Sequence, residues 1–172
     1  SSDLLVDEFG LRAVLSGSTQ ALEAHVPALR ERGIPVILGT YYSFINSHTG
    51  EQTGFRYETA ALLSRAGVPV AFGGLQGETK LLTVNAGIAV QNGMARDDAI
   101  RALTLHPARI LGVDDRIGSI AVGLDADIVL FRGDPLEITS PVEMVLIGGR
   151  IVHRDAPFDP AYTEIGRTGG GR

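Results

Sequence analysis

Short, continuously apolar runs alternate with segments of helical periodicity between residues 1 and 112. The apolar runs at 13–15, 34–39 and 68–72 lack the every-second-residue polarity of a half-exposed sheet, so they predict strands buried on both faces. Helical periodicity covers 3–9, 19–32, 56–66, 78–91 and 97–105, with one further turn at 107–112. Strands that alternate with helices predict a parallel sheet covered by helices, and therefore the α/β class.

The pattern changes after Gly112, where short apolar runs are separated by turns rich in glycine and aspartate. The segments GSIAVG, ADIVLFRG, EMVLIGG and RIVHR predict strands of an antiparallel unit between about 117 and 154. The last residues have little periodicity, and we expect a loop that frays at its end. The chain is therefore divided into 1–112, 113–155 and a tail at 156–172.

Composition narrows the class of protein. The chain has 172 residues, 44% of them hydrophobic and 20% charged, which indicates a folded protein. A net charge of −5 without a basic cluster argues against nucleic acid or an anionic membrane as a partner. The absence of cysteine excludes thiolate metal sites and disulfides. No apolar run approaches the ~18 residues of a membrane span, and the first residues lack a signal-peptide pattern, so we expect a cytoplasmic protein.

Two further features of the sequence bear on its origin. The sequence starts without methionine and enters helix-like sequence at once, so we expect it to come from within a longer protein. It has one lysine, Lys80, among its 15 basic residues, which suggests a GC-rich bacterial source.

Candidate functional residues are sought directly after the predicted strands, because side chains at the carboxyl ends of parallel strands form the sites of α/β proteins. The long loop 40–54 follows the second strand and holds Tyr41, Tyr42 and His48, which are suited to lining a substrate pocket. Gln76 follows the third strand and is a further pocket candidate. A lid or interface loop without specific chemistry is an equal alternative for 40–54.

The other three histidines are expected to be structural. His25 lies within a predicted helix, and His153 is predicted to lie on the surface of the last hairpin. His106 precedes Pro107, which favours an extended backbone and a turn or capping role. Ser16, Ser18 and Thr19 have no paired base, and we interpret them as a helix cap.

Spaced motifs in the second half resemble a known family. They are His106–Pro107–Ala108, Gly118–Ser119–Ile120 leading to Ala126–Asp127, the Gly133–Leu136 segment and the final Gly148–Arg150. Together they resemble the carboxyl-terminal end of the amidohydrolase superfamily, and most closely its imidazolonepropionase-like members. Residues 10–92 agree more loosely with the sixth to eighth βα units of that family's barrel. The resemblance implies a partial TIM (β/α)8 barrel, about strands 6 to 8 with their helices, followed by a small antiparallel β-sandwich portion.

The resemblance also implies where metal ligands should stand. Intact family enzymes hold zinc or another divalent metal, partly through a histidine after the sixth strand and an aspartate after the eighth. Those positions correspond to Gly17 and Leu75. No histidine occurs between residues 1 and 24, and no aspartate occurs between Asp7 and Asp97, so a small shift of alignment restores neither ligand. We therefore expect no metal or cofactor site supplied by this chain, and we assign no catalytic residue.

Two functions remain open at this point. The resemblance implies part of a metal-dependent hydrolase of C–N bonds, with an amide, cyclic amide or dipeptide-like substrate. The alternative is a non-catalytic amidohydrolase-like scaffold or pseudoenzyme subunit, favoured by Gly17 and Leu75. Three βα units cannot close a barrel, so we expect contact with a missing amino-terminal half or a homo-oligomer, besides a small-molecule ligand.

Overall fold

A computed structural model describes residues 8–17, 22–39, 56–73 and 81–155. Three parallel strands come first: β1 (Leu15–Gly17), β2 (Val36–Leu38) and β3 (Val70–Phe72). Five α-helices accompany and follow them: α1 (Val26–Glu31), α2 (Thr59–Arg65), α3 (Leu82–Gln91), α4 (Arg96–Leu103) and α5 (Leu105–Leu111). Three antiparallel strands complete the described chain: β4 (Ile128–Phe131), β5 (Val142–Ile147) and β6 (Arg150–Arg154). The α/β class predicted from the sequence pattern is confirmed.

The parallel sheet has the order β1–β2–β3 and follows the chain order. Val36 lies opposite Leu15 on one side and opposite Val70 on the other, and the three strands keep this register to their ends. β2 and β3 are largely buried, as their continuous apolar sequences predict.

The prediction for the first strand is wrong in both position and burial. Pairing covers Leu15–Gly17 rather than 13–15, because the Leu15 N–H donates to the carbonyl of Pro35 and Gly17 accepts from the N–H of Gly39. All three residues of β1 are exposed. The physical reason is the packing of helices: β1 and β3 are both outer strands of the described sheet, but α4 and α5 pack against β3, whereas the described contacts of β1 are mainly with β2.

The core lies between the parallel sheet and the helices that follow it. Leu38 and Leu63 are its largest fully buried side chains. Alanines fill the contacts between helices, where short side chains let helix backbones approach closely: Ala60, Ala61, Ala86, Ala89, Ala99 and Ala102. Among the described residues, no helix is long and apolar enough to cross a membrane.

The helix ends agree with the glycine positions in the sequence, but several starts do not. Gly33, Gly67, Gly93 and Gly112 follow the helices with φ values between 62° and 96°, as left-handed caps require. The predicted helix 19–32 is instead a 3-10 turn at Leu22–His25 followed by the six-residue α1. Pro27 explains a start at this point, because proline is tolerated only in the first turn of an α-helix.

The antiparallel sheet has the order β4–β5–β6. The strand predicted in GSIAVG is absent from the described residues: 117–124 form bends and turns, and Ile120 and Val122 are almost fully exposed. The local hydrogen bonds explain this, since Asp125 donates its N–H to Arg116 and Leu124 donates to Ala121, which closes the segment on itself. An apolar sequence alone does not make a strand when no described strand lies beside it.

Three contacts hold the antiparallel unit against the helices. Arg96 on α4 donates two hydrogen bonds to the carboxylate of Asp134, at 2.9 and 3.0 Å. Asp134 also accepts the backbone N–H of Leu136, and the Leu136 side chain packs against the core. A Cβ added at Gly87 on α3 would lie 2.5 Å from the Leu136 carbonyl oxygen, so glycine permits this approach.

The Arg96–Asp134 pair predicts a pH-dependent stability. The hydrogen bonds from Arg96, and then the one from Leu136, hold the pKa of Asp134 below its usual value. A lowered folded-state pKa gives stability that is present above the unfolded pKa, about 3.9, and lost as the pH falls through the folded value. We expect Asp134→Asn to lower the urea midpoint at pH 7 and to lower it less at pH 3.

The matched control is Arg96→Gln, which removes the other side of the same pair. It should give a similar loss at pH 7, and the double variant should lose less than the sum of the two. Additive losses, or an Asp134→Asn effect of equal size at both pH values, would contradict the assignment.

Candidate functional site

The carboxyl ends of the three parallel strands form the edge where an α/β protein presents its site. In this chain each strand ends at a glycine: Gly17 is the last residue of β1, while Gly39 and Gly73 directly follow β2 and β3. The Gly39 N–H donates to the carbonyl of Gly17, and the Gly73 N–H donates to the carbonyl of Leu38, at 3.2 and 2.8 Å. The described edge therefore presents backbone and no side chain.

Local geometry makes two of these glycines difficult to replace. Gly17 has a φ of 150°, a conformation that residues with a Cβ rarely adopt. A Cβ at Gly73 would lie 2.6 Å from Cγ2 of Ile37, inside van der Waals contact. The backbone at this edge is thus shaped for glycine, and a side chain at position 17 or 73 would strain it.

The predicted site residues fall mostly outside the described part of the chain. Tyr41, Tyr42 and His48, in the loop after β2, lie in 40–55, and Leu75 and Gln76 lie in 74–80. Their role in a pocket therefore stays a prediction. Of the two positions that correspond to metal ligands, the structure describes Gly17 alone.

The three described histidines lie away from this edge. His25 and His153 are exposed, and exposure was predicted for His153. The extended backbone predicted for His106 is wrong, because His106 lies in the first turn of α5. Pro107 fits there, since the first residues of a helix have N–H groups without intrahelical partners.

His106 has a contact that its sequence position did not predict. Its Nδ1 lies 2.8 Å from the carbonyl oxygen of Val70 in β3. A carbonyl accepts and does not donate, so the hydrogen bond requires the proton on Nδ1. The Val36 N–H bonds to Pro69 on the β2 side, so the Val70 carbonyl points to the other edge of β3. His106 caps this edge.

The described residues do not fit a divalent metal. No group of three or more His, Cys, Asp or Glu side chains within 8–17, 22–39, 56–73 and 81–155 is arranged to hold an ion. At the edge itself, Gly17 offers no imidazole and its φ disfavours a larger residue. We therefore assign no metal-dependent step to this part of the chain.

Sequence reasoning missed a second region, at the opposite, amino-terminal end of the parallel strands. A cavity of about 620 Å³ lies there and includes Arg12, Arg32, His106 and Arg109 among its lining residues. The signal was present in the sequence, since Arg12 and Arg32 each stand a few residues before a strand.

Comparisons with known proteins cover most of this chain. The model of the amidohydrolase family matches residues 12–153. An imidazolonepropionase from Cupriavidus pinatubonensis is 31% identical over 155 residues, which cover 84% of this chain and 34% of that protein. A second imidazolonepropionase, from Cupriavidus taiwanensis, is 33% identical over 142 residues, with 75% and 32% covered. The chain thus spans about a third of the length of these relatives.

A solved structure extends the likeness to the fold. An amidohydrolase from Thermotoga maritima superposes with a TM-score of 0.79 and 34% identity, and the match covers 90% of this chain and 40% of that one.

Proposed function

Because this chain belongs to the amidohydrolase family, we propose that it forms the carboxyl-terminal part of a metal-dependent hydrolase of C–N bonds, in which it acts as scaffold and pocket wall and supplies no metal ligand. The substrate class is an amide, a cyclic amide or a dipeptide-like molecule. Membership of the family supports the reaction class. The end of β1 supports the restricted role, because Gly17 stands where the family resemblance places a histidine.

The fold proposed for the whole protein is a (β/α)8 barrel, of which β1 to β3 are about the sixth to eighth strands. The parallel order β1–β2–β3 supports this, as does the exposure of β1. Phe9, which precedes β1, and Leu15, which lies within it, are exposed apolar side chains. A strand beside β1 would cover these apolar groups and pair with its free backbone edge. We propose that this strand comes from an amino-terminal half, or from a second copy of the chain.

Metal content tests the scaffold role directly. The 172-residue chain, incubated with zinc and then dialysed against metal-free buffer, is expected to hold well below one equivalent by elemental analysis, because no ligand set occurs among the described residues at its strand ends. Stoichiometric zinc that resists dialysis would contradict the proposal. His25→Ala and His153→Ala variants are the control for adventitious binding by exposed imidazoles.

Metal analysis and a hydrolysis assay on the proposed intact protein distinguish a catalytic hydrolase from a non-catalytic scaffold. Bound metal, with hydrolysis of one member of an amide, cyclic-imide, urea and dipeptide panel, is expected if other residues complete the site. Metal below ~0.1 equivalent, together with no hydrolysis, would contradict the hydrolase and support a non-catalytic scaffold or pseudoenzyme subunit. The observation that favours this second candidate is Gly17 at the end of β1, whose φ of 150° disfavours a histidine at that position.

A further inference from the structure

The cavity at the amino-terminal end of the parallel sheet has a distinctive lining. Residues that precede each parallel strand form one side of it, and residues of α5 form the other. Its volume of about 620 Å³ is within the range of small-molecule pockets in proteins.

The ionisable groups among the described residues of this lining are all basic. Arg12, Arg32 and Arg109 contribute guanidinium groups and His106 contributes an imidazole, while no aspartate or glutamate of the described ranges lies in the lining. The chain as a whole carries a net charge of −5. A concave surface lined by one sign of charge concentrates ions of the opposite sign.

Two of these arginines retain capacity for a ligand. Arg109 approaches Asp114 through Nε at 3.6 Å, which is longer than a good charge-assisted hydrogen bond. Within the described ranges, Arg12 has no carboxylate at ion-pair distance. By contrast, Arg101 and Arg116 bond carboxylates at 2.9 and 2.8 Å.

The other described residues of the lining are apolar. Leu11, Val14, Ile34 and Ile110 contribute aliphatic side chains, and Pro35 and Pro69 contribute rings without a backbone N–H. An aliphatic wall beside guanidinium groups suits a ligand that has an apolar body and an anionic end. We propose that this cavity binds a small organic anion, with its carboxylate or phosphate group on Arg12 and Arg109 and its body against the aliphatic wall.

The test uses three probes that share a phenyl ring, on the full chain: benzoate, phenyl phosphate and neutral benzamide, which is nearly isosteric with benzoate. Backbone amide signals of Val14, Ile34 and Ile110 should shift with benzoate or phenyl phosphate in an NMR titration, and benzamide should shift them far less. Comparison of the first two probes distinguishes a carboxylate ligand from a phosphate ligand. Sodium chloride should weaken anion binding, because it screens exposed charges.

Variants locate the site. Arg12→Gln/Arg109→Gln should weaken binding of the better anion by about tenfold or more. Arg150→Gln removes the same charge from β6, away from this lining, and should leave the affinity unchanged. Equal shifts with benzamide, unchanged affinity in the double variant, or no shift up to roughly 20 mM probe would each overturn the proposal. If the double variant fails to fold, the benzamide and salt comparisons on the unaltered chain still decide it.

Discussion

Gly118→Ala should be among the most destabilising single-methyl changes in this chain. Gly118 has a φ of 95°, where an alanine costs about 1–2 kcal/mol in backbone strain. Its added Cβ would also lie 2.6 Å from the Cβ of Ala108 and 3.0 Å from the Thr104 carbonyl oxygen. Overpacking of this kind costs about 1–3 kcal/mol. We expect the free energy of unfolding to fall by about 2–5 kcal/mol in urea denaturation followed by far-ultraviolet circular dichroism.

Gly123→Ala is the matched control for this prediction. Gly123 also has a φ of 95°, but an added Cβ would meet nothing within 4 Å. Its cost should be the backbone strain alone, about 1–2 kcal/mol. Equal losses for the two variants would show that the turn at 117–119 does not pack against α5 as described.

These two glycines belong to one sequence motif, and they show what a motif can predict. The spacing of Gly118 and Gly123 identified the turn and the family. It did not show that Gly118 is enclosed by α5 while Gly123 is open. It also suggested a strand between them, although Ile120 and Val122 are exposed. Turn chemistry is local and therefore visible in sequence, whereas strand pairing depends on a neighbour elsewhere in the chain.

The parallel sheet also has strands that the sequence predicted well and one strand that it did not. β2 and β3 were predicted close to their true bounds because continuous apolar runs end at Gly39 and Gly73. β1 was displaced by two residues, because Ser16 and Gly17 are polar or small and pair through their backbone alone. A strand that pairs through the backbone of polar or small residues leaves no hydrophobic pattern in the sequence from which it could be predicted.

The location of the candidate site at the strand ends was predictable from the sequence, but most of its side-chain contacts were not. The family resemblance located the strand ends, and Gly17 stands at one of them. The cavity lined by Arg12 and Arg109 was missed, because its residues come from separate segments that only the fold brings together. The hydrogen bond between His106 and Val70 was missed for the same reason, since 36 residues separate the two along the chain.

Asn85→Ala should stabilise the protein, which is the reverse of the usual result for a buried residue. Asn85 lies in the first turn of α3 and is fully buried. Neither its Nδ2 nor its Oδ1 has a hydrogen-bond partner in the part of the chain that the structure describes. A buried unsatisfied polar group costs about 1–3 kcal/mol, and alanine also has the higher helix propensity. After allowance for a small cavity, we expect the free energy of unfolding to rise by about 1–3 kcal/mol.

Asn92→Ala provides the comparison of opposite sign. Asn92 ends the same helix, and its Nδ2 donates to the Ile88 carbonyl oxygen at 2.8 Å. Loss of this bond should lower the free energy of unfolding by about 0.5–1.5 kcal/mol. If Asn85→Ala also destabilised the chain, the Asn85 amide would have to be satisfied in solution, by water or by another segment. A gain at Asn85 and a loss at Asn92 would instead show an amide retained in the core at the expense of stability, and such a residue is a candidate for a functional role.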